Sequence, residues 1–329
     1  MSARTLGGRT VQSVGLGCMS LSWAYGTPPS EADAMALLHR ALDLGHDHLD
    51  TANIYGAGHN EELIGKALAR RRHEFFLATK MGIVVDGARR GVDCSPDAIR
   101  PAIDASLRRL QTDHVDLYYL HRFDPKVPVA EMIGAMADLV TAGKIGGIGV
   151  SEWSAAHVRA AHAVHPLAAV QTEYSPWTRN PELGVLDTCR ELGIAFVAFS
   201  PLARGVFAGG LRDPQTLTET DLRRRMPRFD GENWPCNLRL VDGFDRLAEE
   251  QAVTPAQLCL AWVRARGDHV HAIPGTAQLA HLEENFARRD WHIPAEVAAE
   301  IDALVNQQTV SGHRYPDAVR PTIDTEDYP

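Results

Sequence analysis

Three short β-rich runs end, one after another, in ionisable side chains. His48-Leu49-Asp50-Thr51-Ala52 carries Asp50 and leads into a loop holding Tyr55; Leu77-Ala78-Thr79-Lys80 ends on lysine; Tyr118-Tyr119-Leu120-His121 ends on histidine. Together these four types make a general acid with its tuning groups. A tyrosine with a pKa near 10 is a poor proton donor near neutrality. A buried lysine beside it favours the phenolate and lowers that value. An aspartate keeps the lysine charged and oriented, and a histidine can hydrogen-bond a substrate oxygen. Such a set can protonate an oxygen while hydride reaches the attached carbon. Each residue also has an ordinary use: Asp50 as a helix cap, Tyr55 as loop packing, Lys80 reaching to solvent, His121 as a satisfied rim group. Their coincidence on three neighbouring runs is what favours chemistry.

Eight β-rich runs position them, at Ser13–Gly17, His48–Ala52, Phe75–Thr79, Val115–Leu120, Gly147–Val150, Ala169–Thr172, Ala195–Phe199 and Val270–Ile273. Helical patterns separate them, over Ser30–Leu44, Glu61–Arg70, Pro96–Leu110, Ala130–Ala142, Ala155–His165, Pro181–Leu192, Asn237–Gln251 and Pro255–Arg266, with a last one at Pro294–Asn306. Ser30 and Ser95-Pro96 suit helix starts, and Gly45, Gly143 and Gly193 suit left-handed stops. The runs are continuously apolar, as parallel strands buried between layers are. The pattern predicts an α/β fold: one (β/α)8 TIM barrel over residues 1–329, with a long loop (Ala203–Pro235) after strand 7 and a polar C-terminal tail beyond Val310. A doubly wound nucleotide-binding sheet is the competing solution, but Gly15-Leu16-Gly17 continues as Cys18-Met19-Ser20, without the phosphate fingerprint. In a barrel, chemistry sits at the C-terminal ends of strands. Adjacent strands lie about 5 Å apart, so Asp50, Lys80 and His121 can converge there with Tyr55 overhead.

Composition excludes other classes. Lysine and arginine total 33 against 42 acidic residues, a formal charge of −9, which argues against nucleic acid as a partner. The Arg70-Arg71-Arg72 run reads as a helix end answering the macrodipole. Five scattered cysteines form neither a CxxC pair nor a disulfide framework, so no metal is expected from them. His46-Asp47-His48 lies at a strand's N-terminal entry, away from the expected site, and is not read as a metal site. The N-terminus lacks an apolar signal segment and no run reaches the roughly 18 apolar residues of a membrane span. The expectation is a cytoplasmic protein with no membrane partner. Tryptophans fall in loops on the side where substrate would enter; Trp23, Tyr25, His121, Trp153 and Trp234 are the candidate pocket, suited to a hydrophobic small molecule.

At these residues the chain resembles the aldo-keto reductase superfamily. The resemblance lies in His48-Leu49-Asp50-Thr51-Ala52-Asn53-Ile54-Tyr55-Gly56 with Asn60-Glu61-Glu62-Leu63-Ile64-Gly65, in Ala78-Thr79-Lys80, in Asp116-Leu117-Tyr118-Tyr119-Leu120-His121-Arg122 and in Gly143-Lys144-Ile145 through Gly149-Val150-Ser151. Ser200-Pro201-Leu202-Ala203 and Leu282-Glu283-Glu284-Asn285 are similar to the bacterial and plant-type branch that includes potassium-channel β-subunits. The resemblance implies Tyr55 as proton donor, Lys80 and Asp50 as its support, and His121 as the group orienting a carbonyl. It implies NADPH as cofactor. Ser151 and Gln171 would take the carboxamide, and Phe199 would stack on the nicotinamide. Ser200, Pro201, Leu202, Arg204 and Gly205 would follow the pyrophosphate, and Gly275, Thr276, His281, Glu284 and Asn285 would surround the adenosine.

Two departures stand out. Glu152 replaces an amide beside Ser151, and a carboxylate cannot donate as an amide does. Gly275 and His281 stand where a basic pair often reads the 2′-phosphate, which keeps NADH open as a cofactor and leaves Arg204, Arg223, Arg224, Arg225 and Arg228 as substitutes. The expected activity is reduction of an aldehyde or ketone to an alcohol. A nucleotide-sensing regulatory protein with little turnover is the alternative.

Overall fold

A computed structural model describes residues 3–86 and 89–328. The chain opens with a hairpin, β1 (Ala3–Leu6) and β2 (Arg9–Gln12). Gly7 and Gly8 make its turn with φ of 53° and 80°, a conformation glycine adopts without strain. Eight parallel strands follow: β3 (Leu16–Gly17), β4 (His48–Asp50), β5 (Phe76–Met81), then, after a second hairpin of β6 (Ile83–Asp86) and β7 (Arg89–Val92), β8 (Leu117–Leu120), β9 (Ile148–Ser151), β10 (Leu167–Glu173), β11 (Ala195–Phe199) and β12 (Val270–Ile273). Their spatial order is β12-β11-β10-β9-β8-β5-β4-β3. The seam between β12 and β3 is closed by Gly15 N to Ala272 O at 2.9 Å, Ala272 N to Ser13 O at 2.8 Å and Gly17 N to Pro274 O at 3.1 Å. This is the (β/α)8 barrel expected from the strand rhythm.

The surrounding helices are α1 (Glu31–Leu44), α2 (His59–Leu68), α3 (Pro96–Leu110), α4 (Val129–Thr141), α5 (Ala155–Val164), α6 (Val185–Leu192), α7 (Trp234–Glu250), α8 (Pro255–Arg264), α9 (Leu279–Ala287) and α10 (Ala295–Leu304). Ser30 and Ser95 cap α1 and α3 by accepting from Asp33 N and Ala98 N. Gly45 ends α1 at φ 94°. The helix expected over Pro181–Leu192 divides into a 3-10 turn, Asn180–Leu183, and α6, with Gly184 between them. The pattern starting at Asn237 begins earlier, at Trp234, and α9 had no counterpart in the sequence reading.

Side chains alternate across each strand. Phe76, Ala78, Leu117, Tyr119, Ala169, Ala195, Val197 and Ile273 fill the barrel interior, and Leu6 and Val11 of the hairpin plug its base. Leu77, Tyr118, Leu120, Val170 and Phe196 face the helical layer. Continuing the inward set one step along each strand brings Lys80, His121, Gln171 and Ser151 to the C-terminal rim. The site is therefore a consequence of strand parity.

The long connection Ala203–Pro235 is a chain of short 3-10 turns, at Ala203–Ala208, Pro214–Thr216, Leu222–Arg225 and Pro227–Phe229, before α7 begins. The tail past Val310 turns back over the rim; Asp324 N and Thr325 N donate to Glu152 O at 3.0 and 3.1 Å. Among the described residues no helix is long and apolar enough to cross a membrane.

Candidate active site

Lys80 is fully buried and Asp50 is 2% exposed. The Lys80 ammonium donates to the Asp50 carboxylate and to Thr51 O, the latter at 2.8 Å. It lies 5.3 Å from the Tyr55 ring centroid and 5.8 Å from that of Tyr119. The His121 ring meets Tyr55 edge-on, with centroids 6.0 Å apart at 82°. Tyr55 is half-buried above them. The structure thus brings together all four residues that the strand ends suggested.

Burial works against the Lys80 charge, but Asp50 and Tyr55 outweigh it and hold the pKa above the usual lysine value. At Tyr55 burial dominates and raises the hydroxyl above 10, while Lys80 pulls in the opposite direction. The expected net lowering by Lys80 is therefore not the resting condition: a phenol in a half-closed, low-dielectric rim pays more for ionising than one ammonium returns. The hydroxyl is held protonated, and Lys80 is the largest influence easing its ionisation. Arg122, whose Nη1 donates to His121 O at 2.6 Å, also acts on Tyr55 in the lowering direction.

The Tyr55 loop is fixed by residues that the sequence placed in a motif without a role. Asn60 Nδ2 donates to Cys18 O at 2.9 Å and Ser22 Oγ at 2.8 Å, and its oxygen accepts from Thr51 Oγ1 at 2.6 Å. Glu61, fully buried, accepts from Thr79 Oγ1 at 2.6 Å and Arg109 Nε at 2.8 Å. These contacts tie the start of α2, which directly follows the Tyr55 turn, to β5 and α3.

Across the lumen Gln171 Nε2 donates to Asp50 Oδ2 at 2.8 Å. Ser151, its neighbour in register on β9, has a buried hydroxyl without a partner. That orphaned donor beside the tetrad suits one carboxamide. Phe199 is partly buried at the end of β11, with a face remaining toward the rim. Ser200, and after the buried Pro201 and Leu202 the consecutive Ala203, Arg204 and Gly205, take φ of 49°, 52°, 58° and 85°, left-handed positions of the kind that help form anion-binding backbone concavities. Gly275 and His281 are exposed, Thr276 and Asn285 buried, and Glu284 intermediate, around the start of α9.

Several expectations are corrected. Trp153 is completely buried, packed edge-on against Phe123 at 5.0 Å, and Trp234 is 7% exposed with Nε1 donating to Arg212 O at 2.9 Å. Both belong to the main core and neither lines an open wall, because the tail and the turns after Ala203 cover them. Trp23, 40% exposed, and Tyr25 remain at the rim. Arg204 pairs with Glu173 at 2.6 Å, Arg223 with Asp221 at 2.7 Å, and Arg228 donates to Trp177 O at 2.7 Å. These three arginines are committed inside the protein and are not free to read a phosphate. Arg71 and Arg72 pair with Glu74 and Asp116, respectively, bracing the barrel wall. His46 stacks on Phe286 and His48 sits inside the barrel, and no group of three or more metal-ligating side chains occurs among the described residues.

Known proteins share this fold and much of this sequence. Residues 13–306 match the aldo/keto reductase family. The Schizosaccharomyces pombe protein named aldo-keto reductase yakc, NADP(+), is 42% identical over 320 residues, covering 95% of this chain and 94% of its own length. A glycerol dehydrogenase from Gluconobacter oxydans superposes with a TM-score of 0.84 at 27% identity, covering 100% of this chain and 98% of that one. An aldo/keto reductase from Klebsiella pneumoniae, solved with NADP and acetate, gives 0.72 at 28% identity over 96% and 99% of the two chains. With the match running through nearly the whole barrel and a relative this similar end to end, the chain belongs to the aldo/keto reductase family.

Proposed function

We propose that this protein is an NADPH-dependent reductase that converts an aldehyde or ketone to its alcohol. The observation that carries the reading is the buried Lys80–Asp50 pair directly beneath a half-buried Tyr55, with His121 edge-on beside it. NADPH is supported by the NADP(+) in the name of the 42%-identical relative, and the unpartnered Ser151 hydroxyl fits the carboxamide that NADPH and NADH share. The reduced nicotinamide, when bound, supplies hydride to the carbonyl carbon. Ser151 would hold its carboxamide, Phe199 would pack on its ring, and the turn Ser200–Gly205 would follow the pyrophosphate.

The protein's own part is orientation and proton transfer. His121 hydrogen-bonds the carbonyl oxygen and sets it over Tyr55. The Tyr55 hydroxyl gives its proton to that oxygen as negative charge develops there. The phenolate left behind faces the Lys80 ammonium, a fixed charge that needs no reorganisation. Asp50 and Thr51 O hold that ammonium in place. Trp23 and Tyr25 at the rim favour an apolar carbonyl compound.

The test is multiple-turnover oxidation of NADPH, and separately NADH, with a panel of aliphatic and aromatic aldehydes and ketones. Turnover with NADPH supports the reading. Tight nucleotide binding without turnover on any carbonyl overturns it and favours a nucleotide sensor.

A further inference from the structure

Glu152 does not do the work of the amide it replaces. It is fully buried at φ 59°, a strained conformation for a non-glycine residue. Its carboxylate accepts from Arg314 Nη1 at 3.3 Å and Nη2 at 2.9 Å, from Thr325 Oγ1 at 2.9 Å and from Glu173 N at 3.0 Å. Every donor comes from the tail or from β10. Around it, Ser154 N and His157 Nδ1 meet Asp324 at 2.7 Å, and Ala155 N meets Glu326 at 2.7 Å. The tail is therefore docked over the loop after β9 by a dense polar seam, with Glu152 at its centre.

Beyond Glu152 the seam continues through Tyr315, 7% exposed and packed beside the turn after β11. Arg314 and Arg204 lie 5.4 and 5.1 Å from its ring centroid. Arg204 is itself held by Glu173 and donates toward Tyr25 OH at 3.5 Å. Arg204 thus links Tyr25 to Tyr315, with Glu173 holding Arg204 and Glu152 holding Arg314.

We propose that Glu152 is a positioning residue that docks the C-terminal tail and so builds the Tyr315 side of the substrate mouth, acting on carbonyl affinity and not on the nucleotide. This rests on the carbonyl sitting above Tyr55. A buried carboxylate with a bidentate guanidinium is strongly favoured over either group alone, and losing one partner strands the other's charge. The tail is a peripheral segment, so it relieves that cost by opening locally while the barrel stays folded.

The experiment compares wild type, Glu152→Gln, Arg314→Met and Thr325→Val by hydrogen exchange on the nucleotide-free protein, by nucleotide binding and by steady-state kinetics. Glu152→Gln and Arg314→Met should lose protection over residues 311–328 alone. Nucleotide affinity should stay within about twofold, while the KM for the carbonyl rises about tenfold and kcat changes less. Thr325→Val, which removes a single donor, should move the same readouts in the same direction by less, and it serves if the charge variants do not fold. Unchanged protection in 311–328, or a nucleotide affinity that falls as far as KM rises, overturns the proposal. The exchange and nucleotide arms need no turnover, so a failure of the reductase reading is distinguishable from a failure of this one.

Discussion

Gln171 Nε2 donates to Asp50 Oδ2 at 2.8 Å across the barrel lumen, joining β10 to β4. The residue expected at the carboxamide also supports the carboxylate beneath Lys80, so cofactor cradle and proton donor share one hydrogen-bonded path. Gln171→Leu removes a donor from a buried carboxylate, a loss of about 1.5–3 kcal/mol for a bond to a charged group. Urea unfolding should show that drop, and nucleotide affinity should fall with it. An unchanged unfolding midpoint would show that the bond carries no weight.

Lys80→Met leaves Asp50 buried without its charge partner. Removing one member of such a pair costs about 3–5 kcal/mol. Adding Asp50→Leu should recover much of that stability, because the stranded charge is gone, while turnover stays lost. Calorimetry and carbonyl turnover on the single and double variants separate the two effects. Recovery of turnover along with stability would contradict a chemical role for Lys80.

Three buried histidines set the acid limit. Burial lowers His46, His48 and His271 to about 3 from 6.5. The folded chain resists protons that the unfolded chain binds, so their stabilisation is fully present above pH 6.5 and is lost as pH falls toward 3. Each contributes a slope of about 1.4 kcal/mol per pH unit in that window. Urea midpoints at pH 7.5, 6 and 5 should fall steeply below 6.5, and His46→Leu should flatten the slope. A midpoint constant down to pH 5 would contradict it.

His281 bears on cofactor choice. Arg204, Arg223 and Arg228 are committed to internal partners, and Gly275–Asn285 contains no lysine or arginine. An exposed His281 in the first turn of α9 is then a candidate hydrogen-bond donor to a 2′-phosphate, beside the exposed Arg224 and Arg225 of the long loop. His281→Ala should weaken NADPH several-fold and leave NADH alone, and His281→Arg should strengthen NADPH. Dissociation constants for both nucleotides decide it; equal effects on the two would remove His281 from phosphate recognition.

Asp50, Lys80 and His121 were legible because each closes a β-rich run, and parity from His48, Ala78 and Tyr119 carries each inward to the rim; Tyr55 was legible only as the tyrosine of the loop that follows. The β1–β2 hairpin had a signal that polarity hid, since Gly7-Gly8 lies between Leu6 and Val11, the two apolar residues that plug the base. The tail had none. Its docking depends on Arg314 meeting Glu152 across 162 positions, a pairing that no period or spacing announces. Trp153 and Trp234 were misplaced for the same reason: a loop position after a strand reads as exposed until the segment that covers it is known.

Proton donation by Tyr55 is the central claim, and Tyr55→Phe tests it most directly. NADPH binding should be retained while carbonyl reduction falls by about 10²–10⁴, the usual contribution of a positioned general acid. A Tyr55→Phe protein that binds NADPH and reduces carbonyls at the wild-type rate would contradict the account.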